Sequence, residues 1–175
     1  DGLYMAQPFY MQYEAEYNGC KNCEDSYQQF LQVYGRMRDP LNGLYYHAYD
    51  DSRQMFWCDK VTGLSENFWL RAMGWYAMAL IDTMEVMPES MACQKARLNA
   101  IYKELIDAML PYQDQATGMW YQVVNRGGIA PNYLEESGSA IFAYAIMKSV
   151  RLHYLPEEYF KYGQKAFDGI CSTYL

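Results

Sequence analysis

Helices that are apolar around most of their circumference alternate in this chain with helices that are apolar on one face only, and few folds accommodate that alternation. The first class covers residues 1–17, about 66–86 and 140–152, with Leu3, Tyr4, Phe9 and Tyr10 in the first and Phe68, Trp69, Leu70, Met73, Trp75 and Leu80 in the second. Such helices must be buried on several sides. The second class covers about residues 26–37, 88–110 and 156 onward. Its single stripes are Phe30 with Tyr34, Leu98 with Ile101 and Leu105, and Phe160 with Phe167 and Ile170. The buried class restarts roughly every 65 to 70 residues, a period that predicts an internal structural repeat. The implied architecture is all-α: a curved stack of about three αα-hairpins, with an inner and an outer layer of helices. A plain helical solenoid that binds a protein on its concave face is the competing expectation.

The connections carry the second signal. Asp39-Pro-Leu-Asn-Gly43 and Asp114-Gln-Ala-Thr-Gly118 are turn sequences at matching places, followed by Leu44-Tyr45-Tyr46 and Met119-Trp120-Tyr121. Residues 44–49 and 55–58, two short apolar runs across a polar turn, read as a small β-hairpin insertion. Connections before inner helices are long and those after them short. Long loops and inner-helix N-termini therefore crowd one end of the stack, where a pocket is expected among Asp1, His47, Arg71 and its tryptophans, Trp120, and Glu135 or Glu136.

Composition narrows what such a pocket serves. The 175 residues read as a single domain, and no apolar run approaches the ~20 residues of a membrane span. A net charge of −7 argues against nucleic acid as a partner. Tyrosine is used 19 times, the amphipathic aromatic that lines wet pockets and sugar sites. No metal cluster or cofactor motif is visible. Cys20-x-x-Cys23 has redox or half-zinc spacing with no second half to complete it, and reads as adventitious spacing in a loop.

The stretch Phe68-Trp69-Leu70-Arg71-Ala72-Met73-Gly74-Trp75 places a cation among large aromatics, with Arg71 and Trp75 one turn apart on a helix. A half-buried cation needs an anionic partner or ligand. A pocket for an anionic, ring-shaped molecule satisfies that, and so does a core helix whose arginine pairs with a neighbouring carboxylate. Trp69 and Trp75 suit a flat sugar face equally with core packing. Tyr45 and Trp120 are weaker candidates at the same end, and Glu135 and Glu136 read either as site carboxylates or as solvated partners of a helix dipole.

Asp1-Gly-Leu-Tyr-Met-Ala, Tyr46-His47, Trp69-Leu-Arg71-Ala-Met-Gly-Trp75 and Asn132-Tyr-Leu-Glu-Glu-Ser, in this order, resemble the unsaturated rhamnogalacturonyl hydrolases of glycoside hydrolase family 105. The resemblance spans the chain and implies an (α/α)6 barrel of six hairpins, of which this sequence would be the C-terminal half. It also implies a substrate: the 4,5-unsaturated galacturonic acid at the end of a pectin or rhamnogalacturonan fragment, with the disaccharide as partner. Protonation of C4 generates an oxocarbenium-like cation at C5, water adds there, and the hemiketal collapses to release the next sugar. On this match Asp1 is the acid/base and His47 a substrate-site residue, while a second carboxylate comes from a helix that precedes this sequence. On the residues alone Asp1 reads first as a helix cap, and it is the resemblance that makes it the acid/base. The unsaturated glucuronyl hydrolases are the near alternative, and a catalytically inactive saccharide- or protein-binding repeat is the alternative of a different class. A cytoplasmic location is expected, with the periplasm second. Half a ring predicts self-association or a preceding half.

Overall fold

The computed structural model describes residues 2–174, so Asp1 and Leu175 lie outside the described residues. Among the described residues six α-helices form three hairpins: α1 (Gly2–Tyr17) with α2 (Cys23–Met37), α3 (Leu70–Val86) with α4 (Ala92–Met109), and α5 (Glu136–Arg151) with α6 (Phe160–Tyr174). Each even-numbered helix packs on the inner helix before it, and α3 lies between α1 and α5. The architecture is that of a partial α/α toroid.

The three inner helices run parallel. Tyr4 meets Trp75 and Arg71 meets Glu135 near their N-termini, while Lys148 meets Asp82 and Glu85 near the other end. All three inner N-termini consequently open at one end of the stack. Inner-helix side chains such as Met73, Leu80, Ile81, Met84, Phe142 and Ile146 meet Leu98, Ile101, Tyr102 and Leu105 of α4 in one continuous core. Lys148 closes the far end, with Nζ 2.8 Å from Asp82 and 2.5 Å from Glu85, and pins α3 to α5.

Three turns repeat a single hydrogen-bond pattern. In Asp39–Leu44, Asp59–Leu64 and Asp114–Met119 the first residue's N–H donates to the carbonyl of the sixth, at 2.8, 2.9 and 2.8 Å. The fifth residue's N–H donates back to the first carbonyl, and the aspartate Oδ1 accepts from the loop amides. The fifth residue is Gly43, Gly63 or Gly118, all at φ between 75° and 79°, where a side chain is strained. The sequence suggests the first and third turns, and the structure adds the second.

Three expectations are corrected. Residues 44–49 and 55–58 do not pair as a hairpin; Tyr45 bridges Arg38, Tyr49 bridges Leu64 and Cys58 bridges Ser65. The cause is Asp50, whose carboxylate accepts from the amides of Ser52, Gln54 and Met55 and curls the intervening chain away from a ladder. The two-stranded antiparallel sheet lies elsewhere, between β1 (Trp120–Tyr121) and β2 (Leu134–Glu135). Helix α3 begins at Leu70 rather than near 66, because Trp69 is extended and bridges Val123 while the Leu70 N–H donates to the Gln122 carbonyl. Cys20 and Cys23 form a disulfide across the α1–α2 turn, so their spacing is a structural pairing rather than chance.

Candidate active site

The extended backbone at residues 68–69 positions the site. It is held from one side by the 122–124 segment, with the Val124 N–H on the Phe68 carbonyl at 3.1 Å. It is held from the other side by the His47 N–H on the Asn67 carbonyl at 3.3 Å. Phe68 turns inward onto Tyr46, centroids 4.5 Å apart, and Trp69 stays half-buried. The His47 imidazole meets the Trp69 indole edge-on at 5.3 Å, and the Arg71 guanidinium lies 4.6 Å over the same indole. One indole thus carries two polar groups.

Arg71 is tied to the next inner helix. Its Nη1 donates to Glu135 Oε1 and to Ser137 Oγ, both at 3.1 Å. Glu135 closes β2 and caps α5, with Oε2 accepting from the Gly138 N–H at 2.6 Å and Oε1 accepting from Ser137 Oγ at 2.6 Å. Gly138 lets α5 approach this closely: an added Cβ would lie 2.6 Å from Leu70 Cγ. A 160 Å³ cavity lies beside the cluster, lined by Gly2, Leu3, Tyr46, His47, Ala72 and Tyr76. The start of α1, the His47 loop and the first turn of α3 therefore share one recess. Larger cavities of 720 and 750 Å³ lie against α6 and between α5 and α6, away from these residues.

The structure places the expected site residues unequally. His47, Trp69, Arg71 and Glu135 come together, and Gly2 and Leu3 bring the beginning of α1 to the same recess. Asp1 itself lies outside the described residues. Trp75 is partly covered by Tyr4 of α1, 5.1 Å away, within the helix interface. Trp120 is fully buried, donates Nε1–H to the Met109 carbonyl at 2.9 Å and packs on Phe142, which makes it a core residue rather than a pocket wall. Tyr45 is likewise buried against Tyr76, and burial pushes its phenol well above the ordinary range. Glu136 is exposed in the first turn of α5, where a carboxylate favours the helix dipole, and it does not join Arg71.

The residues that sequence reasoning passed over are Tyr46, Ser137 and Gly138. Tyr46 lines the recess while Tyr45 is buried, and a run this short carries no alternation that says which ring turns in. For Ser137 and Gly138 the signal was the Glu-Glu-Ser-Gly start of α5, a capping sequence.

Residues 1–174 match the profile of Glycosyl Hydrolase Family 88 over essentially the whole chain. The chain belongs to glycosyl hydrolase family 88. A curated relative, Protein Atu3128 of Agrobacterium fabrum, is 36% identical over 175 residues, covering 98% of this chain and 73% of its own length. The unsaturated rhamnogalacturonyl hydrolase YesR of Bacillus subtilis is 30% identical over 153 residues, 86% of this chain and 38% of that protein. A solved family 105 glycoside hydrolase of C. acetobutylicum superposes with a TM-score of 0.94 at 42% identity, covering 98% of this chain and 48% of its own. The family 88 chain thus spans about half the length of that solved relative, in agreement with three hairpins of a larger toroid.

Proposed function

We propose that this family 88 chain contributes a substrate-binding wall and the acid/base to a glycoside hydrolase for 4,5-unsaturated galacturonic acid at the ends of rhamnogalacturonan or pectin fragments. The observation that carries the reading is the cluster of His47, Trp69 and Arg71 on one indole, beside a recess that the first residues of α1 also line. The similarity to the B. subtilis rhamnogalacturonyl hydrolase supports this substrate class.

In this reading the Trp69 face carries the flat, half-unsaturated ring and Arg71 takes its carboxylate, for which a guanidinium edge is the fitting donor. His47 bonds a ring hydroxyl. Asp1, ahead of the residues that line the recess, protonates C4. The C5 cation is captured by water, which the resulting carboxylate orients and deprotonates, and the hemiketal opens to release the next sugar. A helix start favours carboxylate over acid, so the proton donor requires burial or a neighbouring carboxylate to hold its proton. In this reading a carboxylate beyond this chain supplies that neighbour.

The chain's half-length coverage of the solved relative favours a second reading, a module that binds the sugar without turning it over. Incubation with an unsaturated digalacturonide or rhamnogalacturonan disaccharide separates the two. Hydration removes the double bond and its ultraviolet absorbance; sugar binding with unchanged absorbance selects the module. Absence of both overturns the proposal.

A further inference from the structure

Both oxygens of Glu135 are engaged in hydrogen bonds. Oε1 accepts from Ser137 Oγ and Arg71 Nη1, and Oε2 accepts from the Gly138 N–H. The carboxylate is buried at the junction of β2 and α5, while the Arg71 side chain keeps 37% of its surface exposed. Arg71 meets Glu135 through one nitrogen only. Arginine–carboxylate pairs are frequently bidentate, through two nitrogens in parallel. Here Nη1 alone is engaged, shared between a carboxylate and a hydroxyl. Among the described residues Nε and Nη2 make no hydrogen bond, and that pair of N–H groups is the edge that matches a planar carboxylate. At the other end of the same two helices Lys148 is a contrast: its side chain is 9% exposed and committed to Asp82, Glu85 and Tyr144.

We propose that Glu135, with Ser137, is a positioning residue that aims Arg71 at the uronate carboxylate. The inference rests on the substrate reading above. The Trp69 ring backs the guanidinium at 4.6 Å, and the two acceptors on Nη1 restrain its rotation. The open edge is thereby presented without the rotamer freedom that a surface arginine loses on binding. Because Glu135 also caps α5 and sits beside Leu70 through Gly138, the aim of Arg71 is referenced to two inner helices at once.

The test uses Glu135→Gln, which keeps the shape and can still accept from the Gly138 N–H, and Ser137→Ala, which leaves the cap intact. Nitrogen-15 NMR of the arginine side chain reads positioning without any sugar. Slow guanidinium rotation at Arg71 in the parent, and fast rotation in both variants at little-changed melting temperature, is the expected result. Unaltered rotation in both overturns the inference. In the full chain, titration with an unsaturated galacturonate-terminated disaccharide should show about tenfold weaker binding in Glu135→Gln, and no further loss when Arg71 is already alanine. An equal loss in the Arg71→Ala background means Glu135 acts through the α5 cap alone, which also overturns it. If Arg71→Ala leaves affinity unchanged, or the parent binds no uronide, the substrate reading fails instead, and guanidinium rotation still decides positioning.

Discussion

Arg71 and Trp69 stack at 4.6 Å although they belong to different backbone regimes, Trp69 in an extended bridge to Val123 and Arg71 in the first turn of α3. On one continuous helix, residues two apart would point to different faces. The start of α3 at Leu70 creates the stack, and that start is set by the Leu70 N–H on the Gln122 carbonyl. A cation over indole contributes about 0.5–2 kcal/mol according to its exposure. Its larger consequence here is orientation.

If Arg71 meets the substrate carboxylate, Arg71→Ala should raise KM for an unsaturated disaccharide about 10- to 100-fold, the range expected for losing charged hydrogen bonds, with a smaller change in kcat. Arg71→Lys should recover little of this, because an ammonium cannot use the two-pronged edge. Steady-state kinetics on both variants checks the point. A KM within twofold of the parent would remove Arg71 from the substrate carboxylate.

Trp120 and Trp69 should separate cleanly in stability. Trp120 is fully buried and donates to the Met109 carbonyl, so Trp120→Ala leaves a cavity and an unanswered acceptor. We expect a loss of about 3–5 kcal/mol in denaturant unfolding. Trp69 is only partly covered, so Trp69→Ala should lower stability by less than about half that amount while weakening sugar binding. Equal destabilisation by both would show Trp69 to be a core residue.

The Asp50 loop should respond to acid. Backbone bonding from Met55 and the Ser52 hydroxyl, with further amide bonds, draws the Asp50 carboxyl down to about 2. A group whose pKa falls on folding stabilises above its ordinary value of about 3.9, and that contribution is lost as pH drops through the folded value. The 50–58 loop should therefore stay closed at neutral pH and open between about pH 4 and pH 2. Amide hydrogen exchange at Gln54 and Met55 measures this, and Asp50→Asn should open the loop at neutral pH and flatten the profile. Asp59 and Asp114, lowered by equivalent turn bonds from Thr62 and Thr117, should behave in the same direction.

Much of the layer order was legible because inner and outer helices differ in apolar coverage, a local property. What was hidden depends on contacts distant in sequence. Arg71 was open to two readings, a ligand's partner or a carboxylate's partner; its pairing with Glu135, 64 residues away, meets the second and leaves an edge for the first. Tyr45 and Trp120 sit in short extended pieces where a two-residue alternation is too brief to tell inside from outside. Phe68 and Trp69 fit helical spacing, but their carbonyl and bridge bonds go to the 122–124 segment, which no local pattern announces. The loop at residues 44–58 looked like two strands because its apolar runs were visible, whereas the pull of the Asp50 carboxylate on three amides was not. α1 has the composition of a buried helix yet buries only Met11 and Glu14, and leaves Met5, Phe9, Tyr13 and Tyr17 exposed.

One side of α1 is apolar and open to water. Met5, Phe9, Tyr13 and Tyr17, spaced four apart, form one stripe, with Phe9 72% and Tyr17 76% exposed. At the opposite edge a 750 Å³ groove between α5 and α6 is lined by Ala140, Ala143, Met147, Phe167 and Ile170. In the C. acetobutylicum structure the matched region is only 48% of the chain. Contiguous apolar surface of this kind drives association when it is left in water. The 175-residue chain by itself should therefore form dimers or larger species by light scattering, in a concentration-dependent manner. Phe9→Glu and Phe167→Glu, one on each edge, should each shift the distribution toward monomer without lowering helix content. A parent chain that is monomeric across the accessible concentration range would show that these two edges are tolerated in water, and the association argument would be wrong.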